Sequence, residues 1–206
     1  ADLIDQQDKV RLLIDPTSSY AQAAAMAMGR AMDDVIITAA TGTAYTGETG
    51  SGTETVQTAI AASVGTGTGL NLVKLTTAKK LLDAADVDPS IPRHIIVGPE
   101  QLQNLLAVEQ VTSSDYNTVK ALVQGEIDSY LGFKFTVSNR LAKSGNDRTC
   151  IVYAEDGITL GIGKDISARI DERADKSYAT QVYYCQSIGA TRMESAKVVP
   201  ITCTEA

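Results

Sequence analysis

The sequence predicts an α+β protein organised in two lobes, and three observations carry that reading. A long Ala-rich helix comes first, a block of alternating helices and strands follows, and a strand-dense stretch from Gly157 to Thr204 closes the chain. Packing of the first helix against the last strands would make the middle block an insertion. The outer lobe is then discontinuous, formed from the two ends of the chain.

The first element is the segment DPTSSYAQAAAMAMGRAMDDVIITAATG, Asp15 to Gly42. Asp15 suits the N-cap and Pro16 the first helical position, where a missing N–H costs nothing. Gly42 is the expected left-handed closing residue. The roughly 25 residues between them span about 37 Å at the α-helical rise. Its interior is Ala, Gly and Met rather than Leu and Phe: small residues admit a neighbouring backbone, and Met26, Met28 and Met32 fill irregular gaps. This is a structural spine, and its GRAMDD half is expected to pack tightly.

Later elements follow from local chemistry. Thr41 to Gly52 is Gly/Thr-rich, with turn signals at Thr46-Gly47 and Ser51-Gly52, and reads as a loop, as does GTGTG from Gly65 to Gly69. Glu54 to Ile60 is a weakly alternating strand. A helix from Thr76, with Ala78, Leu81, Leu82 and Ala85 on one face, stops before Asp88-Pro89. The β-branched run after His94, bounded by Pro92 and Gly98, predicts a buried strand, and Pro99 opens a helix through Leu102, Leu105 and Leu106. A further helix is expected over Tyr116 to Gln124. Phe133 to Ser138 and Arg148 to Ala154 read as strands, with hairpin-turn chemistry in Lys143 to Asp147. In the tail, Ile166, Ala168 and Ile170 alternate with polar residues, and Thr180 to Ile188 and Lys197 to Thr204 have strand composition.

Composition and motifs exclude most chemistry. The 206 residues carry a formal charge of −7, which argues against a general nucleic-acid trap. No uninterrupted apolar run approaches the ~18 residues a membrane span needs, and the opening ADLIDQQDKVR has no secretory pattern. Cys150, Cys185 and Cys203 are widely spaced and read as reduced, mostly buried thiols. The single histidine, His94, fits a strand-edge position and provides no paired ligand set. The nearest phosphate-loop match, Gly157 to Asp165 (GITLGIGKD), has one residue too many and Asp165 in place of the hydroxyl. No GxSxG elbow occurs. Asp33 and Asp34 diverge by about 100° on a helix, Glu155-Asp156-Gly157 is a turn, and the mixed run Asp171 to Lys176 is a charged strand end suited to ion pairs between subunits. No catalytic, cofactor-binding or metal-ligating residues are expected, and no cofactor.

The same order of elements resembles the major capsid protein of tailed bacteriophages, the Hong Kong 97-like fold. DKVRLLIDPTSSYAQAAAMAMGRAMDDVIITA (Asp8 to Ala39) is similar to the family's spine helix and its approach. RHIIVGPEQLQNLL (Arg93 to Leu106) resembles the strand and helix of the axial domain, and YLGFKFTVSNRL (Tyr130 to Leu141) the strand that follows. Tyr153 to Thr202 resembles the closing strands of the peripheral domain. The resemblance implies a peripheral domain at 1–55 and 150–206, made of the spine and long strands, and an axial domain at 56–149.

It further implies a structural, non-enzymatic shell protein that assembles into hexamers and pentamers around double-stranded DNA, without sequence-specific binding and without a membrane. Scaffold and portal proteins are the implied further partners, the virion capsid the location and the host cytoplasm the place of assembly. Family members usually carry an N-terminal arm and an extended β-loop ahead of the spine. About fifteen residues precede it here, so this fragment is expected to assemble weakly by itself. Two other readings stay open at this point: another β-rich virion protein of tail, decoration or adhesion type, and a small α/β enzyme.

Overall fold

The computed structural model describes residues 2–4, 17–65, 67–107 and 129–205. Asp15, Pro16 and the helix expected over 116–124 lie outside them. The described residues form two compact units, one of 1–36 with 160–190 and the other of 37–159 with 191–206.

The spine is present as helix α1, Thr17–Thr41. Its end differs from expectation. Gly42 does not have positive φ; its N–H continues the helical pattern to the Thr38 carbonyl at 2.8 Å. A Cβ at Gly42 would meet that same oxygen at 2.8 Å, so glycine is required here for close approach rather than for handedness. The expectation of a tightly packed GRAMDD half is also corrected: Ala27, Gly29, Arg30 and Ala31 are exposed in the isolated chain. Small side chains permit close approach but do not enforce it.

In the first unit, strand β1 (Asp2–Ile4) pairs antiparallel with β10 (Ala179–Arg192), which in turn pairs with β9 (Ile158–Arg173), in the order β1-β10-β9. Among the described residues of this unit the buried apolar ones are Ile4, Ala24, Met28, Ala179 and Val182. The run Asp171 to Lys176 closes β9 and forms a 3₁₀ turn at Ala174–Lys176, where Arg173 pairs with Asp175. The near phosphate-loop motif lies in extended β9, with no helix after Lys164 to complete a phosphate cradle.

The second unit holds the main core. Its largest sheet has the order β11-β8-β4-β6-β5, formed by Val198–Thr204, Asp147–Ala154, Arg93–Val97, Phe133–Val137 and Ser129–Tyr130. Strand β7, Lys143–Ser144, hairpins onto β8 through Gly145 at φ 62°. Strands β4 and β6 are parallel and the remaining pairs antiparallel. The apolar run of β4 is explained by its central place, with Ile95, Ile96 and Val97 all buried. Burial of Phe133, Ile151 and Ile201 supplies about 1.5–3 kcal/mol each.

Helix α2 runs Leu72–Ala84, four residues ahead of the expected Thr76 start, because Asn71 caps it by accepting from the Lys74 N–H at 2.9 Å. Helix α3, Pro99–Leu106, matches its expectation. The Gly/Thr segment is not wholly loop: β2 (Ala44–Thr46) pairs with β3 (Gly52–Glu54), and Gly47 and Gly50 take positive φ in the turn. The strand expected over Glu54 to Ile60 reduces to the end of β3 and one bridge, Ile60 to Ile201.

The compact units divide at 36/37, 159/160 and 190/191. Strand β11 pairs with β8 over seven residues and so belongs to the main sheet.

Candidate functional site

The residues that fix the architecture come from distant parts of the sequence. No basic residue stands in the last turn of α1 to answer its partial negative charge. Arg192 does so instead. Its Nη1 donates to the carbonyls of Ala40 (3.1 Å) and Gly42 (2.7 Å), and Nη2 donates to that of Glu54 (2.8 Å). Arg192 is 3 % exposed, and burial pulls its pKa below the ordinary guanidinium value. Next to it, the Glu54 carboxylate accepts from the backbone and hydroxyl of Ser195, while Gln57 donates to the Ser195 and Ala196 carbonyls. The end of the spine, the β2–β3 hairpin and the 192–196 turn are thereby one hydrogen-bonded knot.

A second knot surrounds Lys74, which is fully buried. Its ammonium donates to Thr68 (2.8 Å), Gly69 (2.7 Å) and Thr202 (3.1 Å) carbonyls, so three donors meet three acceptors. Desolvation lowers its pKa. The charge is used to staple the 67–70 segment to β11. Cys203 lies beside it, and Cys150 is buried on the adjacent strand, its thiol pushed up by its contact with Cys203 and by burial.

A third knot is centred on Glu205. Its carboxylate accepts from Arg148, from Lys143 at 2.5 Å and from Gln101 at 3.2 Å, and its backbone N–H bonds Asn146 at 2.7 Å. Arg148 first, then Lys143, pull its pKa from 4.5 to about 2. Sequence reasoning identified none of these three residues; their partners are too far along the chain for a spacing rule.

The positions weighed earlier as chemistry hold structural places. His94 is the second residue of β4, near that strand's start, and stacks on Tyr153 with ring centroids 5.4 Å apart. Asp156 pairs with Lys197 at 2.7 Å, and Asp33 is exposed on α1. Among the described residues no cluster of His, Cys, Asp and Glu could hold a metal ion. An open concavity of about 550 Å³ near Lys79, Asp86 and Ser90 is bordered by the Arg93–Asp83 ion pair at 2.7 Å. No helix of the described residues is long and apolar enough to cross a membrane.

What the surface does offer is uncovered apolar side chains. Ile162, Ile166, Ile170, Tyr178 and Tyr183, with Leu3, Tyr20 and Met26, are all exposed, and all belong to the first unit. Ile162, Ile166 and Ile170 share one face of β9 by the two-residue strand period.

A family model described as phage capsid protein matches residues 1–205. Curated protein sequences yield no match. Among solved structures, one from Mycobacterium phage Che8 is similar at TM-score 0.69 and 20 % identity, covering 97 % of this chain and 68 % of that one. The capsid asymmetric unit of cyanophage Pam1 gives TM-score 0.75 at 14 % identity, covering 100 % and 73 %. The capsid of cyanophage P-SCSP1u gives 0.69 at 15 %, covering 100 % and 71 %. With the long helix, the strand-rich unit and the mixed sheet present in one chain, and the family match running almost end to end, the chain belongs to the phage capsid protein family, as a major capsid protein of the Hong Kong 97-like fold.

Proposed function

We propose that this protein is the repeating subunit of an icosahedral shell, joining other copies of itself in hexamers and pentamers around double-stranded DNA. On this reading the first unit, with β9 and β10, corresponds to the peripheral domain, and the second unit, with the main sheet, to the axial domain. The observation that carries the proposal is the imbalance among the described residues of the first unit, of which five apolar ones are buried while the β9 isoleucines and several aromatics are exposed. A surface of that kind marks an interaction site. Neighbouring subunits are the partners that a shell supplies, and a lattice of moderate contacts is stable because each subunit makes several at once.

The protein acts without catalysis: the buried charges described above are consumed in holding backbone carbonyls and carboxylates. A net charge of −7 suits a container that must not hold its polymer at the wall. Scaffold and portal proteins complete assembly in the host cytoplasm. The test is negative-stain microscopy of the expressed full-length gene product. Closed polyhedral particles are expected, and an Ile166→Asp variant should lose them while keeping its circular dichroism. Fibres or dispersed monomers from the unaltered protein would overturn the proposal.

A further inference from the structure

Cys185 differs from the other two cysteines. Cys150 and Cys203 have no exposure, whereas Cys185 lies on β10 with partial access to water. Lys164 on β9 places its Nζ 2.8 Å from the Cys185 sulfur, and the Ser167 Oγ lies 3.1 Å from the same atom. The Tyr183 side chain is a further hydrogen-bond partner. A nitrogen at 2.8 Å from an atom as large as sulfur is in direct contact. The ammonium and then Ser167 lower the thiol pKa to about 7, so a substantial thiolate fraction is present at neutral pH.

We propose that Cys185 and Lys164 form an oxidant-closed covalent latch between β9 and β10, in which a hydroperoxide converts the thiol to a sulfenic acid and the lysine amine displaces water to give a sulfenamide. In the first step the thiolate attacks one peroxide oxygen and the O–O bond breaks. Sulfur is oxidised by two electrons, the peroxide is reduced, and Lys164 gives its proton to the departing hydroxide, leaving sulfenic acid, water and a neutral amine. In the second step the amine nitrogen attacks sulfur and an N–S bond replaces the S–O bond. The hydroxyl leaves with a proton from nitrogen as a second water. Lysine is suited to both steps because it is first the proton donor and then, once neutral, the nucleophile. Sulfenic acids are known to be captured by nitrogen in this way.

The latch needs only the folded hairpin and so stands apart from the shell proposal. The test treats the folded full chain with hydrogen peroxide in the presence of dimedone, followed by peptide mass spectrometry. The expected product is a Lys164–Cys185 linked peptide lacking two hydrogens relative to its separate parts and released by a thiol reductant. Lys164→Arg keeps a cation but removes the nucleophilic amine; in that variant the link should be lost and the dimedone adduct on Cys185 should appear. Equal dimedone labelling of both proteins with no link would overturn the proposal. So would an unmodified Cys185, a disulfide between two copies of Cys185, or a link that retains an oxygen atom.

Discussion

At the scale of single residues, charge in this protein is spent on fastening backbone. Glu205 shows the consequence for pH. Its carboxyl is held at about 2 instead of 4.5, so the stability it contributes is fully present above about 4.5 and is lost as pH falls through about 2. Glu205→Gln should destabilise the protein by roughly 2 kcal/mol at neutral pH, since Arg148 is left largely buried while Lys143, 42 % exposed, is readily hydrated. Urea unfolding at a series of pH values checks this. The gap between the two proteins should narrow from pH 4.5 downward and close near pH 2.

At the scale of elements, the spine is held at its C-terminal end by a residue 150 positions away. Arg192→Ala leaves the Ala40, Gly42 and Glu54 carbonyls without their donor, and a loss of about 2–4 kcal/mol is expected. Arg192→Lys should recover only part, because an ammonium lacks the planar fork that spans two elements. The urea midpoint reports both. Ala27→Leu, by contrast, should change stability by no more than about 0.5 kcal/mol, since Ala27 faces water; a shift of the melting midpoint by several degrees would show that face to be packed.

These two positions also mark what the sequence could reveal about elements. Periodicity and punctuation located the spine, the β4 run and the helix opened by Pro99, because each depends on neighbours within a few residues. The Arg192 cap was hidden, since nothing local distinguishes an arginine that caps a distant helix from one facing solvent. Its one signal was a cation at the end of a long strand. The exposure of Ala27 has no local signal either, because small residues serve equally at a tight contact and on a bare face. The Asn71 cap was legible in principle, and the Thr76-Thr77 pair drew the helix start four residues too late.

For the whole molecule, the two units differ in how much they bury. Among the described residues, the second unit carries the continuous core from Ile37 to Cys203, and the first has a handful of buried side chains. Hydrogen exchange on the unassembled chain should therefore proceed faster at amides of 160–190 than at those of 147–154 and 198–204. Uniform protection across both would contradict the imbalance on which the shell proposal rests.

The pairing of Val198–Thr204 with Asp147–Ala154 has a consequence in time. Because synthesis runs from the N-terminus, β11 leaves the ribosome after β4, β5, β6 and β8, the strands whose sheet it completes. Until then Ile151 and Val152 lack one flank, so a nascent chain that stops short of Val198 cannot close its main core.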